Sequence, residues 1–87
     1  MSELTSLPNI GGIVAKQLER AGIVSAEQLE REGSIGAALR LEGIGVQVCQ
    51  SKLCALEGAI RRVRWHSIPA EERKILWEQF ETHRSHV

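Results

Sequence analysis

"SLPNIGGIVAKQLERAGIVSAEQL", residues 6–29, sets a proline and two glycines directly ahead of an apolar-periodic run. Two things can be built from such a stretch. A Leu-Pro-Asn-Ile-Gly-Gly turn lets two helices meet at a fixed angle, with Leu7 and Ile10 plugging the core. The same turn also leaves backbone N–H groups at a helix start, where the positive dipole end favours an anion and glycine allows close approach. Both readings put helices on each side. Pro8 disfavours helical geometry at Leu7, so a short helix over 2–6 ends there. Over 12–21, Ile13, Val14, Leu18 and Ala21 share one face. Gly22 then stands where a left-handed C-terminal cap wants no Cβ.

Working outward, Ser25 and Gln28 form S-x-x-Q, a capping box that starts a third helix at Ser25. Gly33 ends it, and Ser34 caps a fourth helix over 35–41. "EGIG" at 42–45 breaks the chain. The longest helix is expected over 46–63, where Cys49, Leu53, Leu56, Ile60 and Val63 recur at spacings of 4, 3, 4 and 3. Gly58 interrupts that seam at a cost of about 1 kcal/mol relative to Ala, which a closely crossing helix would explain. "HSIPAEER" opens the last helix: Pro69 suits a first turn, and Glu71 and Glu72 complement the dipole. Ile75, Leu76 and Phe80 form its inward stripe, and "HRSHV" frays. No alternating run or hairpin dipeptide argues for a strand. The fold class is all-α: a compact five- to six-helix domain, 1–87, with a first unit and connector over 2–33, a second unit over 34–63 and a C-terminal helix over 68–84.

"LPNIGGIVA" from Leu7 and "LEGIGVQVC" from Leu41 align at an offset of 34 residues. Leu7 matches Leu41, Ile10 matches Ile44 and Gly11 matches Gly45; Asn9 stands opposite Gly43, and both residue types tolerate positive φ. This internal repeat resembles the helix-hairpin-helix module, and two such units resemble its tandem domain. In that family the hairpin amides hold DNA phosphates, which positions a protein on DNA without reading sequence. The resemblance implies phosphate contacts at Asn9, Ile10, Gly11 and Gly12 and at Gly43, Ile44, Gly45 and Val46, with charge supplied by Lys16 and Lys52. A purely structural role for both hairpins is the alternative.

Charge does not mark the chain as a polyanion binder, since 11 Lys and Arg balance 11 acidic residues, all Glu. The balance is uneven along it: residues 1–44 hold four basic and six acidic side chains, residues 45–87 seven and five. Arg61, Arg62 and Arg64 make the one dense basic cluster, beside Trp65 and His66. These groups either grip phosphates and stack on bases or complement a helix C-terminus, with Trp65 folded over the gap at Gly58. Trp77 lies one step off the inward stripe, so it is either partly buried or an anchor for a partner.

Catalytic chemistry finds no constellation. With no Asp, acid–base work would fall to Glu and three His, and neither cysteine sits in a nucleophile motif. Cys49 and Cys54 are five apart, about 140° round a helix, and are expected as free buried thiols. No metal-ligand spacing occurs, so no metal and no cofactor are expected. No run is long enough to span a membrane, and the N-terminus lacks a basic segment and apolar core, which points to the cytoplasm.

A second resemblance covers about residues 4–77. It rests on "LPNIG" at 7–11, "AGIVSAEQLEREG" at 21–33, "ALRL" at 38–41, "LCALEGAIRRVRWHSIP" at 53–69 and "EER" at 71–73. The chain is similar to the C-terminal domain of the TfoX/Sxy family of bacterial competence regulators. That likeness implies a compact helical domain related to helix-hairpin-helix folds, a part in DNA transformation or its regulation, and no enzyme activity. Its partners would be DNA, bound weakly and without sequence preference, or a regulatory protein held near Trp65 and Trp77.

Overall fold

The computed structural model describes residues 3–85. It is helical throughout, with no strand among those residues. Four α-helices make the frame: α1 (Gly12–Arg20), α2 (Ala26–Gly43), α3 (Gln50–Arg61) and α4 (Ala70–Ser85). Two single 3-10 turns, Glu3–Ser6 and Trp65–Ser67, precede α1 and α4. The expected count of five to six helices is therefore corrected to four. The first helix is one 3-10 turn, and the helices expected on either side of Gly33 are one element. Gly33 (φ 77°, ψ 164°) kinks α2 and the chain re-enters the helix at once. The hydroxyl of Ser34 is buried and donates to Glu57 of α3 at 2.7 Å, so it bridges two helices.

α2 is the longest helix, and it packs on both α3 and α4. The expected long helix over 46–63 is shorter at both ends, because residues 46–49 are not helical and Arg62 leaves the helix. Leu18, Leu29, Leu41, Leu53, Leu56 and Phe80 form the centre of one core. Leu7 and Ile10 of the opening turn are buried in it, as are Leu41 and Val48 of the second copy.

Periodicity overstated the width of three apolar stripes. Ile13 is 76% exposed and Ile75 47% exposed, while Val63 is also exposed. α1 buries Ala15 and Leu18 instead. Cys49 is exposed at the cap of α3 and only Cys54 is buried. Toward its end α4 does not fray at His83. It continues to Ser85, and Arg84 forks onto Glu42 of α2 at 3.2 and 2.6 Å. The expectations for Ser2 and for 86–87 lie outside the described residues.

Helix ends follow the local chemistry closely. Ser25 Oγ accepts from the Gln28 amide at 3.1 Å, and Gln28 Oε1 reaches back to the Val24 amide at 2.7 Å, one residue earlier than in the usual box. The Glu3 carboxylate accepts from the Ala26 amide at 3.0 Å, an anion at the positive end of α2. Three helices stop by one device, a left-handed residue followed by a 6→1 hydrogen bond. These bonds are Ile23 N to Leu18 O at 2.8 Å, Val46 N to Leu41 O at 3.0 Å, and Val63 N to Gly58 O at 2.9 Å. Glycine holds the left-handed position twice, at Gly22 and Gly45, but Arg62 holds the third at φ 63°.

A β-carbon in that conformation costs about 1–2 kcal/mol, partly offset by the freedom glycine has in the unfolded chain. Arg62→Gly should therefore raise stability by up to about 1 kcal/mol, read as a higher urea midpoint at unchanged slope.

Candidate nucleic-acid interface

Asn9 decides the geometry. It sits in the left-handed region at φ 69°, where the hairpin pattern has glycine. Asparagine tolerates that region, and its side chain can bond to backbone. Here it bonds across the molecule. Nδ2 donates to Val63 O at 2.9 Å and to Ala55 O at 3.4 Å, and Oδ1 accepts from the Trp65 amide at 3.2 Å. The opening turn is thus fastened to the far end of α3 and the segment leaving it.

Gly58 makes room for this. A β-carbon there would lie 2.6 Å from Asn9 Nδ2, 2.7 Å from Val63 O and 3.2 Å from Trp65 Cα. The close approach expected at Gly58 is real, but what approaches is a turn and a loop, with Trp65 half-buried above them.

That fastening brings together two groups of residues about fifty positions apart in sequence. On one side is the start of α1. Gly11 is its cap residue, with no side-chain cap bond, and the first helical hydrogen bond runs from Ala15 N to Gly11 O at 3.0 Å. The amides of Gly12, Ile13 and Val14 therefore have no partner within the helix. Gly11 and Gly12 are exposed, and a β-carbon on either would meet nothing within 4 Å. On the other side are Arg62 and Arg64, flanking Val63. Both are exposed and make no ion pair among the described residues. Ile10 is buried below the corner, and Lys16 is exposed one turn along α1.

The remaining candidate residues lie elsewhere or are engaged. Gly43 is helical and not the counterpart of Asn9; in this copy the left-handed residue is Gly45, φ 89°. Gly43, Ile44, Gly45 and Val46 thus form the C-terminal end of α2, the negative end of its dipole, beside the Glu42–Arg84 pair at 2.6 Å. The two copies of the repeat share buried leucines but not backbone shape. Lys52 is half-buried and donates to Gln17 Oε1 at 3.1 Å, fixing α3 against α1. Arg61 is held by Glu57 at 2.7 Å and by Glu72 at 3.0 Å. Those two carboxylates hold its guanidinium above its ordinary value.

Trp65 stacks on His66, centroids 3.9 Å apart, with Arg73 5.4 Å from its ring. Trp77 lies against Phe80 at 5.4 Å, with Arg84 5.9 Å from its ring. Both tryptophans are half-buried, in separate clusters. Among the described residues no group of three or more His, Cys or Glu could hold a metal ion, and no helix is long and apolar enough to cross a membrane.

Comparison with known proteins agrees with this architecture. The profile of the TfoX C-terminal domain family matches residues 1–80. The chain belongs to that family. Two crystal structures of uncharacterized proteins from Listeria monocytogenes share the fold of this TfoX C-terminal domain. The triclinic form is 36% identical with a TM-score of 0.84, over 93% of this chain and 92% of that one. The tetragonal form is also 36% identical with a TM-score of 0.84, over 92% of this chain and 98% of that one. No curated protein matches the chain.

Within this TfoX C-terminal domain, burial also separates the two thiols. It pushes the Cys54 thiol above its ordinary value. The unfolded chain then releases that proton at a lower pH than the folded one, so stability falls as pH rises past about 8.5, the ordinary cysteine value. Urea midpoints measured at pH 7.5 and at about pH 9.5 should show this decline, and Cys54→Ala should flatten it.

Proposed function

We propose that this domain is a non-catalytic, competence-linked module that binds nucleic acid through its backbone phosphates at the corner joined by Asn9. Family membership supports the link to competence and its regulation. The observation that carries the phosphate reading is the Asn9 bracket, which ties the turn before an uncapped helix start to the segment of Arg62 and Arg64, two arginines without an ion pair among the described residues. Three amides at a dipole's positive end favour an anion, and Arg62 and Arg64 add charge-assisted contacts of the kind phosphates take. Gly11 and Gly12 let a phosphate come close to the backbone.

In this reading the amides and Arg62 and Arg64 all contact phosphate oxygens, which carry no base information, so binding is without sequence preference. It is also weak and salt-sensitive, because the net charge is zero and only a few phosphates are neutralised. The end of α2 at 43–46 takes no part in this reading, since its exposed groups are carbonyls and Glu42 lies beside them.

Fluorescence anisotropy with labelled duplex and single-stranded DNA at low salt tests the proposal. Binding should weaken as salt rises. Arg62→Glu with Arg64→Glu should lower affinity by at least about tenfold and flatten the salt dependence by about two, with circular dichroism and melting unchanged. Absence of binding at low salt, or full binding by the double variant, would remove the phosphate reading and leave a purely structural hairpin.

A further inference from the structure

A concavity that shares no lining residue with that corner opens on the face formed by the kink of α2, the end of α3 and the start of α4. It is an open cleft of about 410 Å³. Gly33, where the helix breaks, is part of its wall, and the banks are Glu32 to Gly36 on one side and Glu72, Ile75, Leu76 and Gln79 on the other. Its apolar surface comes from Ile35 and Leu76, both half-buried, and from Ile75, which is 47% exposed despite lying on the apolar stripe of α4.

The walls are fixed in place. Ser34 donates to Glu57 Oε1 at 2.7 Å, Arg61 Nε donates to Glu57 Oε2 at 2.7 Å, and Arg61 also reaches Glu72 Oε1 at 3.0 Å. This chain of bonds ties α2, α3 and α4 around the cleft and occupies both oxygens of Glu57. Three carboxylates line the cleft against one guanidinium. Glu32 and Glu72 each give one oxygen to an arginine, through Arg40 at 2.7 Å and Arg61 at 3.0 Å. Their second oxygens have no partner among the described residues.

We propose that this cleft is a docking site for a segment of a partner protein that presents an apolar side chain flanked by lysine or arginine. The apolar side chain covers Ile75 and packs on Ile35 and Leu76. The cation beside it takes the open carboxylate oxygens of Glu32 and Glu72. Charge complementarity selects this occupant: a nucleic-acid phosphate or an acidic peptide brought to the same place would face like charges. Preformed walls keep the ordering cost of binding low. The site thus differs from the phosphate corner in position and in sign, and it stands whether or not that corner binds DNA.

Two twelve-residue synthetic peptides with the same leucine positions test this, one carrying lysines between the leucines and the other glutamates. Each is titrated into the intact ¹⁵N-labelled chain. The lysine peptide should shift the amide signals of Ser34, Ile35, Gly36, Ile75 and Leu76. It should bind at least about tenfold more tightly than the glutamate peptide. Ile75→Ser, an exposed position, should weaken it at least fivefold, on the order of 1 kcal/mol, with an unchanged melting temperature. Glu72→Gln should also weaken it. Equal binding of the two peptides, shifts confined to other surfaces, or no effect of Ile75→Ser would overturn the proposal.

Discussion

Asn9 lies against Gly58, and much of the domain's shape depends on that contact. An asparagine side chain in the opening turn reaches three backbone groups of a segment about fifty residues later, and it can do so only because position 58 has no β-carbon. The two residues are mutually dependent. Any larger residue at 58 would push the turn outward, and a glycine at 9 would keep the turn's backbone while releasing the loop. Polar groups of a tight junction find partners here, as buried backbone must. The junction closes the chain on itself, bringing residues near the N-terminus against the connection into the last helix.

The same junction gives the surface its pattern. It ties the turn before α1 to the segment that carries Arg62 and Arg64, two exposed cations with no ion pair among the described residues. The opposite sign gathers at the kink of α2, where Glu32, Glu57 and Glu72 line a cleft. Zero net charge therefore conceals an exposed pair of arginines in one place and a carboxylate-lined cleft in another. Pairing makes the difference between them: Arg61 is committed to Glu57 and Glu72, whereas its neighbour Arg62, left-handed at φ 63°, is exposed and has no ion pair among the described residues. The run of arginines thus divides into one that ties helices together and two that are exposed.

Much of the fold is legible in the sequence where the cause is local. Gly22 ends α1, Ser25 and Gln28 start α2, and Pro69 directly precedes α4, because each acts on groups within four residues of itself. The buried leucines follow from spacing. Spacing cannot say how wide a buried stripe is, however, and Ile13, Ile75 and Cys49 fall on its solvent edge. Gly33 was legible as a break but not as a kink within one helix, since that depends on whether the chain turns away afterwards. Left-handed Arg62 gives no signal at all in the residue type. The repeat predicted equal hairpins, and the leucines match, but the copies differ: one is held open by contacts to α3, while the other completes a helix end. The residues of the candidate site fall in two separate groups along the sequence. What joins them is a hydrogen bond between residues 54 positions apart, which no local pattern encodes.

Amide hydrogen exchange at Trp65 tests the junction most directly, because its N–H donates to Asn9 Oδ1. The account predicts slow exchange of this amide in the native chain. It also predicts acceleration by about tenfold in Asn9→Gly, the loss of one hydrogen bond, while core amides such as that of Leu53 keep their rates. A Trp65 amide that exchanges freely in the native chain, or one indifferent to Asn9→Gly, would contradict it.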